Sequence, residues 1–319
     1  ASVIFSLKLN KVRQVHRVVI TEKNTELKNL ELKWGRPAFT ADDGLGSLDN
    51  LYQASDAIVS IAGYFDGKLK SIGSGIIVGP GLVLTASHVF DEFPRTGSGP
   101  VLLSFLPENK ARAWLPTSTV TCSGPSSYSP WDPNSKKVSD LTIVSCNLNS
   151  EAHVEYPLSL VPMELCLPLI GTRLWAVGFR DGEIGEDIAS VSPLLASGLV
   201  TNCFPHGRGE RMPSPCVEVD METLGGMSGG PVFNEEGHVV GIVSSSFEGG
   251  PSYVTLVWDA LRLSVEGLPS EIWEGNYAGI LEGMEQGIVR VRGKFKADSE
   301  RNITLTLSDN EMEHLMENG

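Results

Sequence analysis

Three residues far apart in the chain have the types that acyl transfer at a hydroxyl requires. Ser228 sits in Gly226-Met227-Ser228-Gly229-Gly230-Pro231, His88 closes Thr85-Ala86-Ser87-His88, and Asp140 follows Ser139 at the start of an apolar run. A serine hydroxyl is a poor nucleophile at neutral pH and needs a neighbouring base to take its proton as it attacks. Histidine suits, because its unperturbed pKa lies near the working pH. The imidazole must present the correct nitrogen and be steadied once it is charged, and a buried carboxylate does both. The residues therefore read as Ser228 the nucleophile, His88 the general base and then acid, and Asp140 the orienting carboxylate. Glycines at 226, 229 and 230 fit the same chemistry. The loop must turn sharply so that the N–H groups of Gly226 and Ser228 meet at one developing oxyanion, and glycine reaches such angles without a Cβ clash. Each such donor is typically worth about 3 kcal/mol of barrier.

Taken singly, each of these features has a plainer reading. Gly-x-Ser-Gly-Gly also suits a surface loop or a phosphate cradle, although no lysine follows it as a P-loop would need. A histidine after Ala-Ser is usually structural, and a single aspartate usually caps a turn. It is the combination, at strand ends in a β-rich chain, that favours catalysis. His16, His153, His206, His238 and His314 have no such context.

The elements that must position these groups are short strands. Ala57–Tyr64, Ser71–Val78, Leu82–Ala86, Val101–Phe105, Ala111–Cys122 and Leu141–Cys146 alternate or are rich in β-branched residues, with a tight turn at Gly79-Pro80-Gly81. The segment 123–137, rich in Pro, Ser and Asn, reads as a surface loop. Pro157, Pro162 and Pro168 mark a crossing over 147–169. A second set follows: Arg173–Phe179, Ala196–Cys203, Cys216–Met221, Pro231–Phe233, His238–Ser244 and Tyr253–Val257, with a short helix over Asp259–Val265. The expected fold is all-β, a double six-stranded β-barrel with small accessory segments at both ends. Its units are 1–46 (accessory strands, including Val3–Leu9 and Val15–Ile20, and a linker), 47–150 (first barrel, with His88 and Asp140), 151–267 (second barrel, with Ser228) and 268–319. The last holds a predicted hairpin, Ile288–Lys296 with Asn302–Leu307. A capping box follows at Ser308–Glu311, opening a helix with Met312, Leu315 and Met316 on one side. The two terminal segments are expected to pack together as one accessory unit.

Composition bounds what this fold is used for. Hydrophobic residues at 41% and charged residues at 20% place the chain among ordinary globular proteins. A net charge of −14 argues against nucleic acid, whose phosphates need a basic footprint. No apolar run reaches the roughly 18 residues of a membrane span, so no membrane partner is expected, and no leader is visible. The cytoplasm is the expected location, with secretion left open because the chain begins at Ala1. The five cysteines, Cys122, Cys146, Cys166, Cys203 and Cys216, form no CxxC pair, so no metal site and no redox motif is expected. Cys146 reads as a small core residue, and Cys203 and Cys216, flanking a loop, as a pair able to bridge in an oxidising compartment. No cofactor is implied.

Three blocks carry a family resemblance. Leu84-Thr85-Ala86-Ser87-His88-Val89, Asp140-Leu141-Thr142-Ile143-Val144 and Gly226-Met227-Ser228-Gly229-Gly230-Pro231 resemble the signature blocks of the trypsin/chymotrypsin-like (S1, PA clan) serine peptidases. The order His, Asp, Ser is also that of chymotrypsin. Gly73–Val78, Trp175–Phe179, Ala196–Val200 and Gly241–Ser246 resemble further strands of that family, and the likeness covers roughly residues 50–265. It is closer to bacterial, HtrA-like and other non-zymogen members, without a PDZ domain, than to digestive trypsin. Digestive enzymes carry an aspartate just before the nucleophile for zymogen activation; here that position is Met227, which implies no activation by that ion pair. The resemblance implies a serine endopeptidase acting on a protein or peptide substrate through an acyl-enzyme. It places Glu222 where trypsin has its acidic pocket residue, and Ser244, Ser245 and Ser246 on an open pocket wall. If Glu222 points inward, Arg or Lys at P1 is favoured; if outward, specificity is open. The loop Asn202–Cys216, with Arg208 and Arg211, is a candidate self-cleavage or regulatory segment beside its plainer reading as an exposed loop.

Two other readings compete. In one, the groove belongs to a pseudo-protease that binds peptides without cutting them. Alternatively, the chain is a regulated processing protease, latent until a regulatory protein engages residues 1–45 and 268–319.

Overall fold

A computed structural model of the chain describes residues 16–20, 27–37, 46–47, 56–65, 68–91, 100–123, 137–150, 154–180, 183–184, 188–209, 212–246 and 249–318. The expected strand Val3–Leu9, most of the 123–137 loop and Arg211 lie outside these residues.

Strands dominate. Near the N-terminus are β1 (His16–Ile20), β2 (Leu32–Trp34) and β3 (Gly46–Ser47). Six strands then follow: β4 (Ile58–Phe65), β5 (Lys68–Gly79), β6 (Leu82–Ala86), β7 (Val101–Leu106), β8 (Lys110–Ser123) and β9 (Lys137–Leu148). They pair antiparallel in the cycle β4–β5–β6–β9–β8–β7 and back to β4, so the sheet closes into a barrel with no open edge. Every residue of Leu82–Ala86 is buried, because one face fills the barrel and the other meets the second half of the molecule. The crossing carries β10 (Leu158–Leu160) and β11 (Met163–Glu164).

The second half repeats the device with β12 (Arg173–Arg180), β13 (Glu183–Ile184), β14 (Ile188–Phe204), β15 (Cys216–Val219), β16 (Pro231–Phe233), β17 (Val239–Ser246) and β18 (Ser252–Leu256). The cycle β12–β14–β15–β18–β17–β16 closes a second antiparallel barrel. All twelve barrel strands expected from the sequence are present, and the expected helix after them is a 3-10 turn at Val257–Arg262.

The first barrel buries one charged pair. Arg112 and Asp56 are 2.9 Å apart with side chains 0% and 1% exposed. The same guanidinium donates to the carbonyls of Tyr156 and Pro157, so it ties the start of the barrel to the crossing.

The second barrel is followed by β19 (Ser264–Glu266) and, after Gly267, by β20 (Tyr277–Gly279), β21 (Val291–Arg292), β22 (Lys294–Ala297) and β23 (Ile303–Thr306), with the helices α2 (Ile280–Glu285) and α3 (Asp309–Asn318) numbered after the short α1 (Ser87–Asp91) of the first barrel. The capping box is formed: the Ser308 N–H donates to Glu311 Oε2, and the Glu311 N–H to Ser308 Oγ. Met312 and Met316 are exposed, however, while Leu315 packs on the second barrel.

Among the described residues no strand of the N-terminal segment pairs with one of the C-terminal segment. β1 pairs with β14 and β8, β2 with β10, and β3 with β14, so the N-terminal strands extend the barrel and crossing sheets. The hairpin β22–β23 pairs with itself, and β21 runs parallel to β11. Strand alternation marks a segment as a strand; it carries no record of the distant partner that will pair with it.

Candidate active site

The pairing Ala86↔Leu141 ends the β6–β9 ladder and sets residue 140 beside the first turn of α1. There the Asp140 carboxylate gathers donors from three directions. His88 Nδ1 lies 2.9 Å from Oδ2 and 3.1 Å from Oδ1, the His88 N–H donates to Oδ1 at 3.2 Å, and Ser87 Oγ donates to Oδ1 at 2.8 Å. From the second barrel, Ser244 Oγ on β17 donates to Oδ2. Burial alone pushes this carboxyl up, but the His88 hydrogen bond and charge, with Ser244 and Ser87, outweigh it and hold Asp140 below the ordinary carboxylate range. An acceptor-only carboxylate so placed selects the imidazole form with a proton on Nδ1, which leaves Nε2 as the basic nitrogen.

The Ser228 loop lies against the same corner. A Cβ built on Gly73 would come within 2.6 Å of Val89 in α1 and 3.2 Å of the Ser228 carbonyl. Gly229, at φ +78°, has no room for a side chain: its Cβ would stand 2.1 Å from Thr85 Oγ1 and 2.8 Å from the Ala86 nitrogen. Gly226, at φ +91°, packs as closely on the Phe179 carbonyl. These contacts press the loop onto the strand that leads into His88. The loop's own turns use the N–H groups of Met227, Gly229 and Gly230, which donate to Leu224, Val243 and Met227 carbonyls. Among the described residues the N–H groups of Gly226 and Ser228 donate to nothing, which is the condition for binding an oxyanion.

Met227, where a zymogen-type aspartate would sit, is fully buried in the second core, so this loop is held by packing. The pocket candidates are placed as follows. Glu222 is exposed between the buried Met221 and Thr223. The Ser244 hydroxyl is committed to Asp140, and Ser245 is exposed. Ser246 ends β17 opposite Ser252. Cys203 and Cys216 are not bridged. Cys203 faces Val217 and Cys216 faces Phe204 across the β14–β15 ladder, so the two sulfurs lie on opposite sides of the hairpin. Cys146 is buried and unpaired, and burial pushes its thiol up. Among the described residues no cluster of His, Cys, Asp and Glu has metal-binding geometry, and no helix is long and apolar enough to cross a membrane.

Sequence reasoning missed Ser74. It is fully buried on β5 and makes four hydrogen bonds around the Ser228 loop, yet in sequence it is one small residue between glycines. The only hint is a polar side chain within the otherwise apolar run 73–79.

The trypsin-like peptidase domain family matches residues 73–242, more than half of the chain. No curated protein sequence matches it. Among solved structures, the chain is similar to the MamO protease domain from Magnetospirillum magneticum (19% identity, 64% of this chain and 92% of that one, TM-score 0.43). It is similar to human heparin binding protein (19% identity, 67% and 91%, TM-score 0.45). It is also similar to a Glu endopeptidase in complex with MPD (18% identity, 68% and 92%, TM-score 0.45).

Proposed function

The chain belongs to the trypsin-like peptidase domain family, and we propose that it is a serine endopeptidase in which Ser228 attacks, His88 relays the proton and Asp140 orients His88. Membership implies a peptide or protein substrate. The observation that carries the reading is the Asp140–His88 pair standing beside a loop whose Gly226 and Ser228 N–H groups are uncommitted. Ser228 Oγ would add to the scissile carbonyl as His88 Nε2 takes its proton, and the new oxyanion would accept from the two N–H groups. The imidazolium, steadied by Asp140, then returns the proton to the leaving amine, and water repeats the sequence on the acyl-enzyme.

The acyl-side subsite takes a short, uncharged side chain. Ser252 lies between the segment leading to Ser228 and the end of β17, opposite Val219 on one side and Ser246 on the other. Its hydroxyl donates to the Met221 carbonyl at 2.9 Å and accepts from Thr223 Oγ1 at 2.8 Å, and both hydroxyls are buried. We take this closed, uncharged pair as the floor of the subsite beside the nucleophile loop, with Glu222 not contributing its charge there. A mixed peptide library read by mass spectrometry is expected to show cuts after Ala, Ser, Val or Thr. Cuts confined to Arg or Lys would contradict that assignment of the floor.

A second reading, a latent or purely peptide-binding site, is raised by one observation: among the described residues the Ser228 hydroxyl makes no hydrogen bond to His88. Such bonds often tighten only when substrate binds. Reactivity of Ser228 toward a fluorophosphonate separates the two readings.

A further inference from the structure

Ser74 stands on the first barrel but is bonded to the second. Its N–H donates to the Ser228 carbonyl at 2.8 Å. Its hydroxyl lies 2.8 Å from the Gly226 carbonyl and 2.8 Å from the Phe179 nitrogen on β12. The direction of these bonds is forced. The Phe179 N–H can only donate, so the hydroxyl accepts there, and its one proton goes to the Gly226 carbonyl, which can only accept. Thr85 Oγ1 donates to the Ser74 carbonyl at 2.7 Å and fixes the residue in turn. No water reaches this cluster, because Ser74 and Thr85 are both 0% exposed.

The two residues with uncommitted N–H groups, Gly226 and Ser228, are thus the two whose carbonyls Ser74 holds. Gly225 and Gly226 supply little stiffness of their own, and nothing lies within 4 Å of where a Gly225 Cβ would be. We propose that Ser74 is a positioning residue for the oxyanion-binding loop: from the first barrel it pins the peptide planes that follow Gly226 and Ser228, and so restricts the backbone rotations that aim the N–H groups of those two residues. The proposal rests on the reading of Ser228 as nucleophile. A merely structural Ser74 would satisfy the buried Phe179 N–H and nothing more. The two roles differ in what they affect, because a positioned N–H pair acts on the tetrahedral state and not on the bound ground state.

The test compares Ser74→Ala, Ser74→Cys and Ser60→Ala with the wild-type chain. Ser60 stands opposite Ser74 on β4, but its hydroxyl pairs with Ser71 and not with the Ser228 loop, so it reports the cost of losing a buried hydroxyl at the same place in the barrel. Three quantities are read: kcat and KM on a cleaved peptide, affinity for the matching peptide aldehyde, and affinity of the uncut peptide in a Ser228→Ala background. For Ser74→Ala, kcat is expected to fall about 100-fold, aldehyde affinity to fall in parallel, and KM and uncut-peptide affinity to stay within about threefold. Ser74→Cys, which keeps a weak donor, is expected to fall between the two and serves where Ser74→Ala does not fold. Unchanged aldehyde affinity in an active Ser74→Ala or Ser74→Cys chain would overturn the proposal, as would the same losses in Ser60→Ala. A folded wild-type chain that neither turns over peptide nor binds aldehyde would overturn the peptidase reading itself.

Discussion

Asp140 shows how a single charge is kept where burial opposes it. Its side chain is 20% exposed, and four donor groups, two of them from His88 and one each from Ser87 and Ser244, converge on it. Because Asp140 is held below its ordinary value, the carboxylate contributes stability that is present above the unfolded pKa, about 3.9, and is lost as pH falls through the lower native value. Asp140→Asn is expected to remove that part of the acid loss, so urea midpoints of mutant and wild type should converge as the pH is lowered toward about 2. The same change should cut kcat by about 10⁴-fold, as expected when the imidazole loses the acceptor that sets its tautomer. Ser228, His88 and Asp140 stood out in the sequence because each is the residue type that its proposed step demands. Ser244 was legible only as one of three serines in a row. Strand alternation separates Ser244 from Ser245 but does not say which face meets Asp140, since that depends on how the two barrels dock.

At the scale of elements, the loop around Ser228 and the strands beneath it are matched by close backbone contact. Gly229 combines a left-handed φ with a site already occupied by Thr85 Oγ1 and the Ser74 carbonyl. Gly229→Ala is therefore expected to destabilise the protein by about 3 kcal/mol in denaturant unfolding, from strain and steric conflict together. Elsewhere in the first barrel, Asp56→Ala would leave the Arg112 guanidinium buried without its carboxylate. We expect a loss of about 3–5 kcal/mol, measured the same way. The twelve barrel strands could be read from alternation and turn chemistry, including the tight turn at Gly79–Gly81. Registers could not. Whether Cys203 meets Cys216 is decided by a one-residue offset in the β14–β15 pairing, and either offset has the same sequence pattern.

Across the whole molecule, the chain after Gly267 behaves as a strap over both barrels. Trp273 is 3% exposed and donates its indole N–H to the Pro80 carbonyl, with Val289 and Ile280 completing its seat on the first core. Further on, Arg301 donates to the Leu261 and Leu263 carbonyls and pairs with Glu282. Leu307 and Leu315 pack on the second core, and Glu311 accepts from the Leu167 N–H in the crossing. His88 and Asp140 belong to one barrel and Ser228 and Ser244 to the other, so anything that fixes the barrels together also fixes the site. Trp273→Ala is expected to cost about 3–5 kcal/mol, read as a shift of the denaturation midpoint. This role was invisible in sequence, where the segment shows a hairpin and a capped helix but no sign of what they pack on.

The most direct measurement is the intact mass and peptide map of the folded chain after exposure to a fluorophosphonate, beside Ser228→Ala. The account predicts one adduct, located at Ser228, and none in the variant. A folded wild-type chain that takes no adduct, or an adduct that persists in Ser228→Ala, would contradict the assignment of Ser228 as an activated nucleophile.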